Sequence, residues 1–105
     1  MRVLFDQGTP VPLRRALDGP VETAFERGWA ELGNGDLLNA AEAFGFDVLV
    51  TTDQNLRYQQ NVGDRSIAII VLGTTSWPRI RLETARIQEA IRSCTPGSYI
   101  EVQIP

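Results

Sequence analysis

The chain has 105 residues, 43% of them hydrophobic, and a formal net charge of -3 at pH 7. This length and composition predict one globular domain over residues 1–105 with a single core. No apolar stretch approaches the roughly 20 residues needed to cross a bilayer, and the first residues lack the apolar segment of a secretory signal. We therefore expect a cytoplasmic protein with no membrane partner. The negative net charge excludes a general polyanion binder, so any contact with nucleic acid must come from a local arginine patch.

Two residue types with catalytic uses are missing. All ten basic residues are arginine, and the chain has neither lysine nor histidine. Their absence excludes Ser-His and Cys-His catalysis, Schiff-base chemistry and the P-loop lysine. The single cysteine, Cys94, makes no intramolecular disulfide and has no histidine to activate it, so we interpret it as a packing thiol. Carboxylates, amides and hydroxyls remain for chemistry.

The first part of the chain predicts two strands around a helix. The apolar run from Arg2 to Asp6 is too short for a helix and predicts a strand. A helix follows. Thr9 is its predicted N-cap, Pro10 is its first residue, and its apolar face comprises Leu13, Ala16 and Leu17. Residues 18–20 end this helix, residues 21–24 predict a second strand, and residues 25–32 predict an irregular segment or one helical turn.

The central part predicts a helix and two buried strands. The breaker at 33–35 places Asn34 as the cap of a helix that Gly45 ends. Its apolar face comprises Leu37, Leu38, Ala41 and Phe44. Residues 48–52 and 67–72 are almost all apolar or β-branched, as in strands buried on both faces. The polar stretch 54–63 predicts a short helix or an ordered loop, packed through Leu56 and Tyr58.

The last part predicts a helix and a final strand. Ser76 and Pro78 mark the helix start, and its apolar stripe comprises Ile80, Thr84, Ile87 and Ile91. Pro96 and Gly97 end it, and residues 99–104 alternate as a strand. The order of elements predicts a three-layer α/β/α fold with a mostly parallel central sheet. Parallel strands need crossover connections, which we expect to be of one hand.

Three aspartates are candidate catalytic and metal-binding residues. Asp6 and Asp53 each end a predicted strand, so both belong to the carboxyl edge of a parallel sheet. Asp36 lies in the first turn of a helix that begins near the same edge. Three converging carboxylates are costly without a cation, and an oxygen-only site favours Mg²⁺ or Mn²⁺. A structural interpretation is also open, since aspartates commonly cap turns and stabilise helix starts.

Three segments, taken in order, resemble the small PIN-like domains of bacterial toxin–antitoxin toxins: Val3 to Asp6, Asp36 to Ala41, and Val50 to Leu56. In that family an aspartate ends the first strand, an acid precedes a Leu- and Ala-containing helix, and Thr-x-Asp ends the central strand. The resemblance covers nearly the whole chain. It implies metal-dependent RNA cleavage with Asp6, Asp36 and Asp53 as ligands, Thr51 as the motif hydroxyl, and a cognate antitoxin as partner.

Two positions depart from that family and keep other functions open. Gln7 and Asn55 stand where such sequences commonly carry acids. An amide oxygen can still contact a cation, so Asn55 remains a candidate ligand and Gln7 a supporting residue, but metal affinity should fall. A degenerate, binding-only module is therefore an alternative. A receiver-like phospho-acceptor domain is another, since Thr74 follows a later strand, although the acidic pair and the lysine it needs are missing.

Arginine and tryptophan suggest two kinds of contact with partners. Arg57 and Arg79, and then Arg14, are the candidate RNA-binding residues, although each could equally form an ordinary ion pair. Trp29 and Trp77 could form an aromatic patch through which a homodimer assembles.

Overall fold

Five parallel strands form one sheet in the order β2-β1-β3-β4-β5. The computed structural model describes residues 1–56 and 62–105, so the predictions for Arg57 and Tyr58 lie outside the described residues. The strands are β1 (Val3–Phe5), β2 (Val21–Thr23), β3 (Val48–Thr51), β4 (Ala68–Leu72) and β5 (Tyr99–Val102). Each lies within its predicted segment and is shorter than predicted by one or two residues, all of them at strand ends, where boundaries are least well defined by local sequence.

The connections contain three α-helices and three 3₁₀ helices among the described residues. The α-helices are α1 (Asn34–Ala43), α2 (Trp77–Ile80) and α3 (Thr84–Ser93). The 3₁₀ helices are Val11–Ala16, Val62–Asp64 and Arg81–Glu83. Among residues 1–56 and 62–105, no helix is both long and apolar enough to cross a membrane.

The sheet is covered on both faces, which confirms the predicted three-layer α/β/α fold. Every residue of β1, β3 and β4 is buried. Alternate residues point to opposite faces, so the core has two halves. The first half packs under the 11–16 helix, α2 and α3, through Val3, Phe5, Val50, Ile70, Leu13, Ile80, Ile87 and Ile91. The second half packs under α1, through Leu4, Leu49, Ile69, Leu37, Leu38, Ala41, Phe46 and Leu56.

The crossovers are not all of one hand. The β1–β2 connection runs along the sheet in one direction and the β4–β5 connection runs in the other. Both connections nevertheless cover the first half of the core, the β1–β2 connection through Leu13 and the β4–β5 connection through Ile87. Two crossovers that run in opposite directions over the same face of a sheet have opposite hands. The single hand expected from the sequence is therefore wrong. On this face α3 packs with Leu13 through Ile87 and Ile91, and the Asp18 backbone N–H donates to Oε1 of buried Gln88 (2.7 Å).

Thr9 does not cap the first helix. That helix is of the 3₁₀ type and has Pro10 at its N-cap position, without a side-chain cap. The Thr9 side chain is buried and its hydroxyl donates to the Val50 carbonyl (2.9 Å). A buried hydroxyl needs a partner, and Pro12 leaves one fewer N–H to cap in the first turn, so the long-range hydrogen bond is formed instead.

Asn34 and Phe44 also differ from prediction. Asn34 is the first residue of α1, its N-cap position is Gly33, and the Asn34 amide contacts Asp53. Phe44 follows the last helical residue and is 54% exposed, with its ring edge-on to Trp29 at 5.3 Å between centroids. Gly45, with a positive φ of 82°, ends the helix as predicted.

The predicted final helix is interrupted. The 3₁₀ turn at 81–83 separates α2 from α3, and Glu83 occupies the N-cap position of α3 with a non-helical φ of -122°. The predicted apolar stripe nevertheless faces the core, since Ile80, Ile87 and Ile91 are buried. The structure gives no physical reason for the interruption.

Glu42 ties the end of α1 to the turn before β4. Its Oε1 accepts a hydrogen bond from Arg65 Nη1 (2.5 Å), and its Oε2 accepts from the backbone N–H and the hydroxyl of Ser66 (both 2.8 Å). Partial burial opposes ionisation, but the hydrogen bonds from Ser66 and Arg65 outweigh it and lower the pKa of Glu42.

We predict that Glu42→Gln lowers the free energy of unfolding by about 1–3 kcal/mol at pH 7. Because the folded-state pKa is lowered, the stabilisation by Glu42 is present above its unfolded pKa and is lost as the pH falls through the folded value. The difference between variant and wild type should therefore shrink as the pH falls below about 4. Urea unfolding at several pH values measures it, with exposed Glu89→Gln as the control. A difference that is constant with pH would contradict the prediction.

Candidate functional site

The candidate site lies at the carboxyl edge of the sheet, between β1 and β3. Asp6 directly follows β1, and Asp53 follows β3 by two residues. The chain leaves β1 for β2 on one side and leaves β3 for β4 on the other side. The crevice between β1 and β3 is thus the point where the strand order reverses, which is where open α/β sheets bind ligands.

Thr51 links the two aspartates. Phe5 and Val50 are register partners, so Asp6 and Thr51 follow them at the same level of adjacent strands. The buried Thr51 hydroxyl donates a hydrogen bond to Asp6 Oδ2 (2.5 Å) and accepts one from the Asp53 backbone N–H (3.1 Å). The predicted motif hydroxyl therefore fixes the Asp6 carboxylate relative to the Asp53 backbone.

The Asp53 carboxylate is held from two sides. Its Oδ1 accepts from the backbone N–H of Asn55 (3.0 Å), and its Oδ2 accepts from the side-chain amide of Asn34 (3.0 Å). Asn55 thus contributes to the site through its backbone, and it is an exposed residue. The sequence analysis missed Asn34 as a site residue. Its place at the start of a helix that follows a strand was the signal that could have identified it.

The structure does not bring the three predicted carboxylates together. Asp36 is exposed in the first turn of α1. Within residues 1–56 and 62–105, no group of three acidic, histidine or cysteine side chains is placed to hold one metal ion. The network that is present joins Asp6, Thr51, Asp53 and Asn34.

The residues at this edge fit a hard cation better than a soft one. The side chains of Asp6 and Asp53 present carboxylate oxygens, and each oxygen can accept more than the hydrogen bonds described above. Exposed Gln7 and Asn55 carry amide oxygens beside them in the sequence. Oxygen donors of this kind suit Mg²⁺ or Mn²⁺.

The loop after β1 packs closely against the residue after β3. The Thr9 N–H donates to the Asp6 carbonyl (3.0 Å), which closes a tight turn around Gly8. A Cβ atom at Gly8 would lie 2.5 Å from Oγ1 of Thr52. Only glycine therefore fits at this position while Thr52 keeps its place.

The described arginines predicted to bind RNA make contacts within the chain. Arg14 pairs with Glu26. Arg79 donates to the carbonyls of Pro105 (3.1 Å) and Ile104 (2.8 Å), and so holds the last described residues against α2. These contacts give Arg79 a structural role.

The predicted aromatic patch has contacts within the chain too. Both Trp29 and Trp77 are half-buried. The Trp29 ring packs edge-on to Phe44 and Phe46, and Arg27 lies 4.9 Å from its centroid. Trp77 packs on the first half of the core. Homodimer formation through these rings stays a prediction.

The chain matches no family model, and no curated protein or solved structure is significantly similar to it. The class of protein is therefore defined by its fold and its site. It is a parallel α/β protein with two hydrogen-bonded aspartates at the point where the strand order reverses.

We predict that Thr51→Val lowers the free energy of unfolding by about 1–3 kcal/mol, because it leaves the Asp6 carboxylate and the Asp53 N–H without their shared partner. Thr51→Ser keeps the hydroxyl and should recover part of this loss. Thermal and urea unfolding of the three proteins measure the effect. A wild-type stability of Thr51→Val would show that the hydroxyl contributes nothing, and a loss in Thr51→Ser as large as that in Thr51→Val would contradict the predicted recovery.

Gly8→Ala should destabilise the protein by about 1–3 kcal/mol, since the new methyl group would overlap the Thr52 hydroxyl. Adding Thr52→Ala removes the overlapping oxygen, so the double variant should be more stable than the sum of the single changes predicts. A double-mutant cycle in urea measures this coupling. Strict additivity would mean that Thr52 is not the obstacle.

Proposed function

We propose that this protein is a metal-dependent ribonuclease of the PIN-like kind, in which Asp6 and Asp53 hold a Mg²⁺ or Mn²⁺ ion. The observation that carries the proposal is the hydrogen-bonded unit of Asp6, Thr51 and Asp53 at the β1/β3 edge. The ordered resemblance of its three segments to PIN-like toxins supports the choice of RNA as substrate.

The chain's own residues would bind the cation and orient the carboxylates that hold it. Asp6 and Asp53 supply charged oxygens, while Thr51 and Asn34 fix the directions of those carboxylates by donating hydrogen bonds. Asp36, two residues after Asn34, is exposed in the first turn of α1 and is not part of this hydrogen-bond network. The chemistry that a bound cation supplies is neutralisation of phosphate charge and a lowered pKa for water, so neither histidine nor lysine is needed.

The test measures Mn²⁺ binding by calorimetry and cleavage of single-stranded RNA with and without EDTA. The variants are Asp6→Asn and Asp53→Asn, which remove a charge from the site and keep the side-chain shape. Asp47→Asn is the matched control, because Asp47 directly precedes β3 at the opposite edge of the sheet.

We expect Mn²⁺ to bind and EDTA to abolish cleavage. Each site variant should lower cleavage by at least about 100-fold, because the loss of a residue that only supports a metal ligand commonly costs 10–100-fold in activity, and Asp6 and Asp53 are the proposed ligands themselves. The control should keep activity near that of the wild type. Binding of Mn²⁺ without cleavage would favour the degenerate binding module. If neither Mn²⁺ binding nor cleavage is detected, the nuclease proposal is wrong.

As a toxin, the protein would need a cognate antitoxin to restrain it. Expression in a bacterial host should then slow growth, and Asp6→Asn should relieve this effect. Equal growth of cells that express the wild type and the variant would contradict the toxin role, and the nuclease proposal would still rest on the cleavage assay.

A second candidate is a phospho-acceptor domain, favoured by one observation. The strand order 2-1-3-4-5 is a common doubly wound order that receiver-like domains share. Two features oppose it: the chain has no lysine, and Gln7 stands after the first strand where a receiver-like domain carries an acid. Incubation with acetyl phosphate and Mg²⁺ distinguishes the two functions, since only an acceptor domain gains a phosphoryl group that Asp53→Asn abolishes.

A further inference from the structure

A mostly apolar cavity of about 360 Å³ adjoins the candidate site. It lies at the carboxyl ends of β1 and β2, between the turn that follows Asp6, the start of the 11–16 helix and the residues after Thr23. Its volume falls within the range of small-molecule sites, about 300–1,000 Å³. Asp6 lines the cavity and also accepts the Thr51 hydrogen bond at the β1/β3 edge, so a ligand in the cavity lies beside the candidate site.

The cavity wall combines an aromatic ring with fixed polar groups. Phe25 is 76% exposed and Val11 is 54% exposed, and both line the cavity, so together they offer it apolar surface. Glu26 is held by both terminal nitrogens of Arg14 and by the Thr23 backbone N–H. The hydrogen bond from Arg14, followed by that from Thr23, lowers the pKa of Glu26, so it remains a charged acceptor at neutral pH.

We propose that this cavity binds one base of the RNA strand, stacked on Phe25, and prefers a base that carries an exocyclic amino group. This inference rests on the proposed nuclease function, and it names the substrate group that lies next to the carboxylates.

The chemistry of the wall favours a base over an apolar side chain from a protein partner. Stacking on an exposed aromatic ring suits any base, because every base has a π-face. Asp6 and Glu26 present acceptors to the cavity, and carboxylates accept from amino groups of bases. An apolar side chain would instead cover these two charged carboxylates and the Gln7 amide without offering any of them a further hydrogen bond.

Uncharged nucleosides test the cavity separately from the metal site. The isotope-labelled full chain is titrated with cytidine and with uridine in metal-free buffer, and backbone amide shifts are followed by NMR. These two nucleosides differ mainly in whether position 4 of the ring carries an amino group or a carbonyl. The variants are Phe25→Ala, and Phe25→Trp to retain stacking. Leu82→Ala is the control, since Leu82 is 72% exposed and does not line the cavity.

We expect saturable cytidine shifts at Gln7, Val11 and Phe25, with uridine binding several-fold more weakly. Phe25→Ala should weaken cytidine binding about tenfold, within the range measured for loss of one stacking contact, while Phe25→Trp and Leu82→Ala should retain it. Equal binding by wild type and Phe25→Ala, or shifts outside the cavity only, would overturn the inference. Equal affinity for cytidine and uridine would overturn the preference for an amino group.

The two proposals fail separately. Nucleoside binding needs neither cation nor phosphate, so its failure leaves the Mn²⁺ and cleavage results standing and overturns the base subsite alone. Cytidine binding by a protein that neither binds Mn²⁺ nor cleaves RNA would support the subsite and overturn the nuclease.

Discussion

The structure depends on the burial of β1, β3 and β4 on both faces. A strand covered on both sides has no position for a polar side chain unless its hydrogen bonds are satisfied locally, so polar chemistry is confined to the strand ends. Thr51 is the exception within β3. It is fully buried, and its hydroxyl acts as both donor and acceptor, which satisfies it and connects Asp6 to Asp53. The constraint that builds the core therefore also places the site at its edge.

The same constraint explains how much of the fold the sequence predicts. Continuous apolar runs identify β3 and β4 well, because burial on both faces leaves a composition that few other elements share. Helix starts were harder to predict. Thr9 and Asn34 have the side chains of typical caps, and both instead donate to groups more than 15 residues away. Local propensity carries no information about such partners, since they exist only once the sheet has formed.

Crossover hand shows another limit of local patterns. The apolar stripe of α3 predicts a buried face but does not say which face of the sheet it covers. On the observed face α3 contacts a segment distant in sequence, since Ile87 and Ile91 pack in one cluster with Leu13 and Leu17 and Gln88 accepts from the Asp18 N–H. The short 11–16 helix covers little of that face by itself, and Ile87 and Ile91 complete the first half of the core.

At the candidate site, the sequence predicts three aspartates, and the structure joins two of them, Asp6 and Asp53, with Thr51 and Asn34 in one hydrogen-bond network. Asn34 and Asp36 are two residues apart on a helix, so their side chains point about 200° apart around its axis. Only one of them can face Asp53 when Leu37 and Leu38 are buried, and the structure selects Asn34. The rotation of α1 about its axis therefore decides which side chain faces Asp53, the Asp36 carboxylate that the sequence pattern favours or the Asn34 amide.

The presence of the Asn34 amide in place of a third carboxylate changes what a cation would contribute to the site. Three facing carboxylates would repel one another and would need a cation to be stable. Asp6 and Asp53 instead accept hydrogen bonds from Thr51, Asn34 and Asn55, which satisfy both carboxylates within the chain itself. If the proposed cation site exists, its affinity for Mg²⁺ should be modest, because Gln7 and Asn55 carry uncharged amides where acids would add charge.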